Sequence, residues 1–205
     1  MQTTRIYHGG GVGKSGGFGP AVTPPVIPTI DFVRTWISIN DFSPHTSNPP
    51  NGPMTRVLPN TLEARCYAFS PSELDLLVCM VPVPSIYWTY DLTVPTSVSI
   101  KLYWYNEVTS ANYIAWRTEL SFIREYETLN FALPLLSDMS RPAGTQYELK
   151  VSTVPDFPIY NPSGSAIIED GLFYFKCGRD GTHVDDTYTN EAYLLGATID
   201  FPIAY

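Results

Sequence analysis

The chain has 205 residues, 44% of them hydrophobic and 14% aromatic, enough for one core burying roughly 70% of the unfolded surface. A net charge of −8 and a pI near 4.7 argue against a nucleic-acid binder, which needs a basic face for phosphates. No run approaches the ~18 apolar residues of a membrane helix, and MQTTRIYHGG lacks the basic start and apolar core of a secretory signal.

Residues 1–30 hold seven of the 14 glycines and four of the 19 prolines. Gly costs too much backbone entropy and Pro lacks a donor, so neither helix nor central strand is expected here. The segment reads as an extended N-terminal arm, residues 1–30, ahead of a β-rich domain, residues 31–205. Its apolar residues Ile6, Tyr7, Phe18, Val22, Val26, Ile27 and Ile30 are candidate anchors on the body or on a neighbour. Arg5 and Lys14 are its two charges, both basic, so the remaining residues carry 10 basic against 20 acidic groups. Within the arm, His8–Ser15 (HGGGVGKS) imitates a phosphate-binding loop. It has His where the motif needs its first Gly, and no helix former follows, so nucleotide binding is not expected.

Ile30–Asn40 is the first strand candidate. Asp41–Asn60, with five prolines, reads as a long loop that contacts partners. Leu62–Phe69 reads as a short strand. Ser70-Pro71-Ser72-Glu73 matches a capping box and predicts at most one helical turn, leading into a buried strand at Leu76–Val81. Ile86, Trp88, Tyr90 and Leu92 alternate as another strand.

Ser97–Ile123 carries the clearest signal. Val98, Ile100, Leu102 and Trp104 alternate with polar or tyrosine residues, as do Ile114, Trp116, Leu120 and Phe122. A period of two places each apolar set on one sheet face. With the polar turn Asn106–Asn112 between them, the two runs read as a hairpin. Further on, Leu129–Leu136 is a weaker strand candidate, and Tyr147, Leu149 and Val151 alternate as another. Pro155–Gly164 is loop, Gly171–Cys177 an aromatic strand, Arg179–Glu191 a polar loop, and Tyr193–Phe201 the closing strand. Eight or nine short strands without a long helix predict an all-β fold, a jelly-roll-like sandwich of two antiparallel sheets. An immunoglobulin-like sandwich is the alternative, but its Cys…Trp…Cys spacing is absent.

Chemical motifs are sparse. Cys66, Cys79 and Cys177 lie apart in apolar runs, without zinc spacing, and read as buried thiols of a chain matured in a reducing compartment. Asp180–Asp186 (DGTHVDD) gathers oxygen and imidazole groups but lacks EF-hand spacing, so a structural turn is expected and no metal is assigned. Glu119, Glu125 and Glu127 with Trp88, Trp104 and Trp116 would suit a glycosidase cleft only if their geometry converged; the tryptophans fall on apolar faces and are expected in the core. A Ser/His/Asp triad is not expected: His8, His45 and His183 all fall in loops, and Ser163 reads as a turn serine. Neither enzymatic activity nor a cofactor is expected.

Two stretches carry a family likeness. LYWYNEVTSANYIAW (102–116) and RDGTHVDDTYTNEAYLLGATIDF (179–201) together resemble jelly-roll structural proteins of tailed phages and environmental viruses. The resemblance implies a capsid decoration or cement protein bound outside a phage head. Its partners would be the major capsid protein and copies of itself, often as a trimer. It would be made in the host cytoplasm and located on the virion surface. The arm residues Arg5, Ile6, Tyr7, Lys14, Phe18, Val26 and Ile27 would contact partners. A receptor- or glycan-binding tip of a tail or head fibre is the alternative the same fold would serve.

Overall fold

The computed structural model describes residues 31–82, 97–123, 135–158 and 171–203. The arm and its seven anchor residues, the expected strand Ile86–Leu92, and Glu125, Glu127 and Ser163 lie outside them.

Eleven strands are described: β1 (Asp31–Ser38), β2 (Ser43–Pro44), β3 (Asn51–Val57), β4 (Glu63–Phe69), β5 (Leu74–Pro82), β6 (Ser97–Asn106), β7 (Ser110–Ile123), β8 (Leu135–Gly144), β9 (Lys150–Pro158), β10 (Leu172–Asp180) and β11 (Ala192–Ile203). They form a six-stranded sheet ordered β3-β4-β11-β6-β9, with β1 also paired to β11, and a five-stranded sheet ordered β2-β5-β10-β7-β8. All pairings are antiparallel. Strands β4 to β11 therefore wind as a jelly roll: the run 4-11-6-9 belongs to one sheet and 5-10-7-8 to the other, successive strands mostly switching sheets.

The period-two faces meet between the sheets. Val98, Ile100, Leu102 and Trp104 of β6 are buried with Ile114, Trp116 and Leu120 of β7, Phe173 and Phe175 of β10, and Leu194, Ile199 and Phe201 of β11. Trp104 and Trp116 touch at 5.5 Å between ring centroids, and Phe69 meets Trp116 edge-on at 5.5 Å. The indole Nε1–H of Trp104 donates to Ser152 Oγ at 2.8 Å. Both tryptophans are thus core residues, as their alternation indicates.

The expected hairpin is corrected. β6 pairs with β11 and β9, while β7 pairs with β10 and β8, so Asn106–Ser110 carries the chain from one sheet to the other. A hairpin would set both tryptophan faces side by side on one surface. Placing the runs in opposite sheets lets those faces bury each other, the larger hydrophobic gain. Asn106 at the corner is itself buried; it donates to Val108 O and accepts from Lys150 Nζ, both at 2.6 Å.

Three local expectations also change. The long loop Asp41–Asn60 contains β2 and β3; β3 accommodates Pro53 because it lies at the sheet edge, with a bulge between Asn51 and Met54. Ser70–Glu73 bends without a helical turn: Ser70 N–H donates to Asp75 Oδ2, and Glu73 O accepts from Gly181 N. The strand read at Tyr147–Val151 begins at Lys150 and runs to Pro158, into the expected loop, with Ser152 and Val154 buried and Tyr147, Leu149 and Val151 exposed. β8, polar and interrupted by Pro142, carries too weak an alternation to be read beyond Leu136.

The Trp116→Ala variant removes the indole that joins the two sheets. It is expected to lower stability by about 3–5 kcal/mol, measured by urea unfolding.

Candidate functional site

Residues 102–116 and 179–201, far apart in sequence, meet at one end of the sandwich. Here β10 ends, β7 begins, and the loop Gly181–Glu191 leads into β11. Arg179 and Asp186 are both fully buried and paired, Nη2 to Oδ1 at 2.6 Å and Nε to Oδ2 at 2.8 Å. The guanidinium also donates to the carbonyls of Asn190 and Tyr188. Asp186 Oδ2 accepts a further bond from Ala115 N–H at 2.9 Å. Thr187 Oγ1 accepts from Tyr113 N–H, and the buried Tyr188 donates its hydroxyl to Val108 O. Asp186-Thr187-Tyr188 is therefore a clasp that ties the long loop to the start of β7.

This accounts for the other groups of DGTHVDD. Asp180 Oδ1 accepts from Thr182 N–H and Oγ1–H, and Asp180 Oδ2 lies 3.5 Å from Arg117 Nη1. His183 Nδ1 accepts from Asp185 N–H. These bonds close a turn, and no cluster able to hold a metal exists among the described residues. Glu119 is committed to Lys176 at 2.8 Å and to Arg117 at 3.4 Å, the arginine that also faces Asp180.

Beside the clasp, the outer face of the six-stranded sheet carries a second cluster. Tyr105 and Tyr193, opposite each other on β6 and β11, stack at 4.9 Å over Cys66 and Ala68. Arg56 of β3 lies over the Tyr193 ring at 5.0 Å and donates to its hydroxyl at 2.9 Å. Glu191 and Glu107 flank the same hydroxyl at 2.9 and 3.1 Å. Burial pushes both phenols well above their ordinary value, helped by the Cys66 thiol at Tyr105 and by the Glu191 hydrogen bond at Tyr193. Burial likewise raises the thiols of Cys66, Cys79 (up to about 12) and Cys177, so none is a ready nucleophile.

Further along this face the surface opens. Trp36 of β1 is 46% exposed, whereas Trp104 and Trp116 are at 1% and 0%. Its ring lies 5.0 Å from Tyr103 of β6, tilted by 59°. Phe32 is also exposed, under the Arg34 guanidinium at 5.0 Å. Arg34 grips Asp200 of β11 through Nε and Nη2 at 2.6 and 2.7 Å, and Lys101 Nζ stands 3.9 Å from the same carboxylate. Sequence reading missed Trp36, because it sits in the same alternating pattern as a core tryptophan. The available signal was register: Phe32, Arg34 and Trp36 share one parity, and an arginine within that set marks its face as the wet one.

No protein-family model matches the chain, and no curated protein matches it. Among solved structures, the CBM22-2 xylan-binding domain of Paenibacillus barcinonensis Xyn10C is similar over 82% of this chain and 98% of that chain, at 11% identity and a TM-score of 0.44.

Two outcomes follow from the clasp and the tyrosine pair. Asp186→Asn leaves the Arg179 charge buried without its partner and is expected to cost about 3–5 kcal/mol in urea unfolding. Tyr105 and Tyr193 have folded pKa values above their unfolded value of ~10. Their neutral forms are favoured by the fold, so their contribution is intact below pH ~10 and is lost as pH rises above it. The Tyr105→Phe/Tyr193→Phe double variant is expected to flatten the alkaline decline, followed by tyrosinate absorbance together with circular dichroism.

Proposed function

We propose that this chain is a non-catalytic structural subunit of a virion, a jelly-roll decoration protein that attaches to the outside of a phage head. It would contact the major capsid protein and copies of itself. Its sequence likeness to such proteins rests on two stretches that here build a single end of the fold, so the likeness concerns an architecture-defining feature rather than scattered residues.

The observation that carries an attachment role is the edge at β9. This strand ends the six-stranded sheet, and natural edges are commonly blunted by charge, proline or bulges. Pro155 and Pro158 occupy its far half. Val151 (47%) in its near half and Leu149 (60%) immediately before it are exposed instead. Lys150, the residue placed to guard this edge, spends its ammonium on Asn106 Oδ1 and on the carbonyls of Thr145 and Glu148. Desolvation accordingly holds the Lys150 pKa below its usual value. An apolar, unguarded edge of this kind suits burial against another subunit. A second reading, a glycan-binding tip, is favoured by the exposed Trp36 beside half-buried Tyr103.

Wild-type protein is expected to bind expanded heads that lack it, stoichiometrically, in a co-sedimentation assay. Leu149→Asp/Val151→Asp, with an unchanged melting temperature, is expected to bind at least about tenfold more weakly, the effect of ~1.4 kcal/mol. Equal binding by the variant would remove β9 from the interface. Absence of wild-type binding to any shell would overturn the virion reading.

A further inference from the structure

We infer that the outer face of β1, β11 and β6 carries a site for a single chain of uncharged pyranose residues, seated on Trp36 and Tyr103. This deepens the glycan reading above and rests on it.

The rings are set in place before any ligand arrives. Trp36 is braced by Tyr103 at 5.0 Å and lies over Gly196 of β11. A Cβ at Gly196 would stand 2.9 Å from Trp36 Cζ2 and 2.8 Å from Ile37 O, so the indole occupies the space that a side chain would fill. A ligand therefore meets an ordered surface and does not have to freeze a mobile side chain. Pyranoses with equatorial hydroxyls present a face of axial C–H groups. That weakly positive face matches the negative face of an aromatic ring.

The sugar rim needs hydrogen-bonding groups held at fixed positions beside the rings, and the sheet supplies them. Arg34 and Asp200 are locked in a two-point pair, and Lys101 converges on the same carboxylate. Thr35, Trp36 and Ile37 of β1 face Ile199, Thr198 and Ala197 of β11, which in turn face Ile100, Lys101 and Leu102 of β6, so the aromatic and polar groups lie on neighbouring rungs. Because both cations converge on Asp200, the site offers hydroxyl-bonding partners more than a cation committed to an anionic sugar.

The 59° tilt selects the form of the glycan. Two rings at that angle cannot both lie flush on a flat crystalline array. A single chain whose successive residues rotate about the glycosidic bond can present one face to each ring.

The test is isothermal titration of the full chain with gluco-, manno- and galacto-configured neutral hexasaccharides, alongside polygalacturonate and microcrystalline cellulose. We expect at least one neutral hexasaccharide to bind, and the Trp36→Ala and Tyr103→Ala variants to lose tenfold or more in affinity. Trp36→Phe should lose less than Trp36→Ala, and Val184→Ala, in the exposed loop before β11, should bind as wild type. Circular dichroism melts confirm that each variant is folded. If no carbohydrate binds, both this site and the glycan reading fall. If a hexasaccharide binds but Trp36→Ala and Tyr103→Ala leave affinity unchanged, the site is wrong while the glycan reading survives. Binding to polygalacturonate or crystalline cellulose alone overturns the assignment of ligand class.

Discussion

The buried pair of Arg179 and Asp186 is the constraint on which this end of the molecule depends. Two full charges removed from water are costly unless each is matched, and a buried pair gains little if its remaining donors go unsatisfied. Here the matching is extensive: the guanidinium reaches both carboxylate oxygens and two loop carbonyls, and the carboxylate takes a main-chain N–H of β7. The loop 181–191 has few apolar side chains with which to dock; Tyr188 is its buried anchor. Polar bonding therefore determines where the loop lies, and through it where β11 begins relative to β7 in the opposite sheet. An apolar replacement would leave the Asn190 and Tyr188 carbonyls without their donor, so the pair serves placement of the chain more than raw stability.

That placement propagates across the six-stranded sheet. With β11 started in register, Tyr193 falls opposite Tyr105, and Arg56 reaches over from β3 to the Tyr193 hydroxyl and its flanking glutamates. The register shift between Leu194 and Gly196 comes next, and the glycine it delivers beneath Trp36 leaves room for an indole. One end of the sheet's outer face is thus closed by tyrosines and ion pairs. The region beyond it stays open and aromatic. The structural motif and the candidate binding surface are neighbours on the same strands, and they divide the work: one determines register, the other presents side chains.

Several features were legible without coordinates because they depend on local pattern. The buried faces of β6, β10 and β11 follow from alternation, and Cys66, Cys79 and Cys177 are buried and unpaired as their apolar surroundings indicate. The jelly-roll class followed from the number and spacing of strands. The errors share one cause. Alternation tells which residues share a face, but not which face is inside or which strand lies alongside. The hairpin failed for that reason, since two adjacent apolar runs joined by a polar turn can pair or can face each other. β9 failed similarly: Tyr147, Leu149 and Val151 have the right period, yet Ser152 is the residue beneath the Trp104 indole.

The amino-acid sequence by itself determined an all-β chain, the burial of Trp104 and Trp116, and the burial of the three separate cysteines. Only the tertiary structure decided that β6 and β7 belong to different sheets, that Asp186 answers Arg179, and that Trp36 faces outward. Those outcomes depend largely on contacts between residues far apart in the chain, such as Arg34 with Asp200, 166 positions away. A period of two says nothing about such distances; the cost of burying charge and the gain from packing one sheet on another decide them.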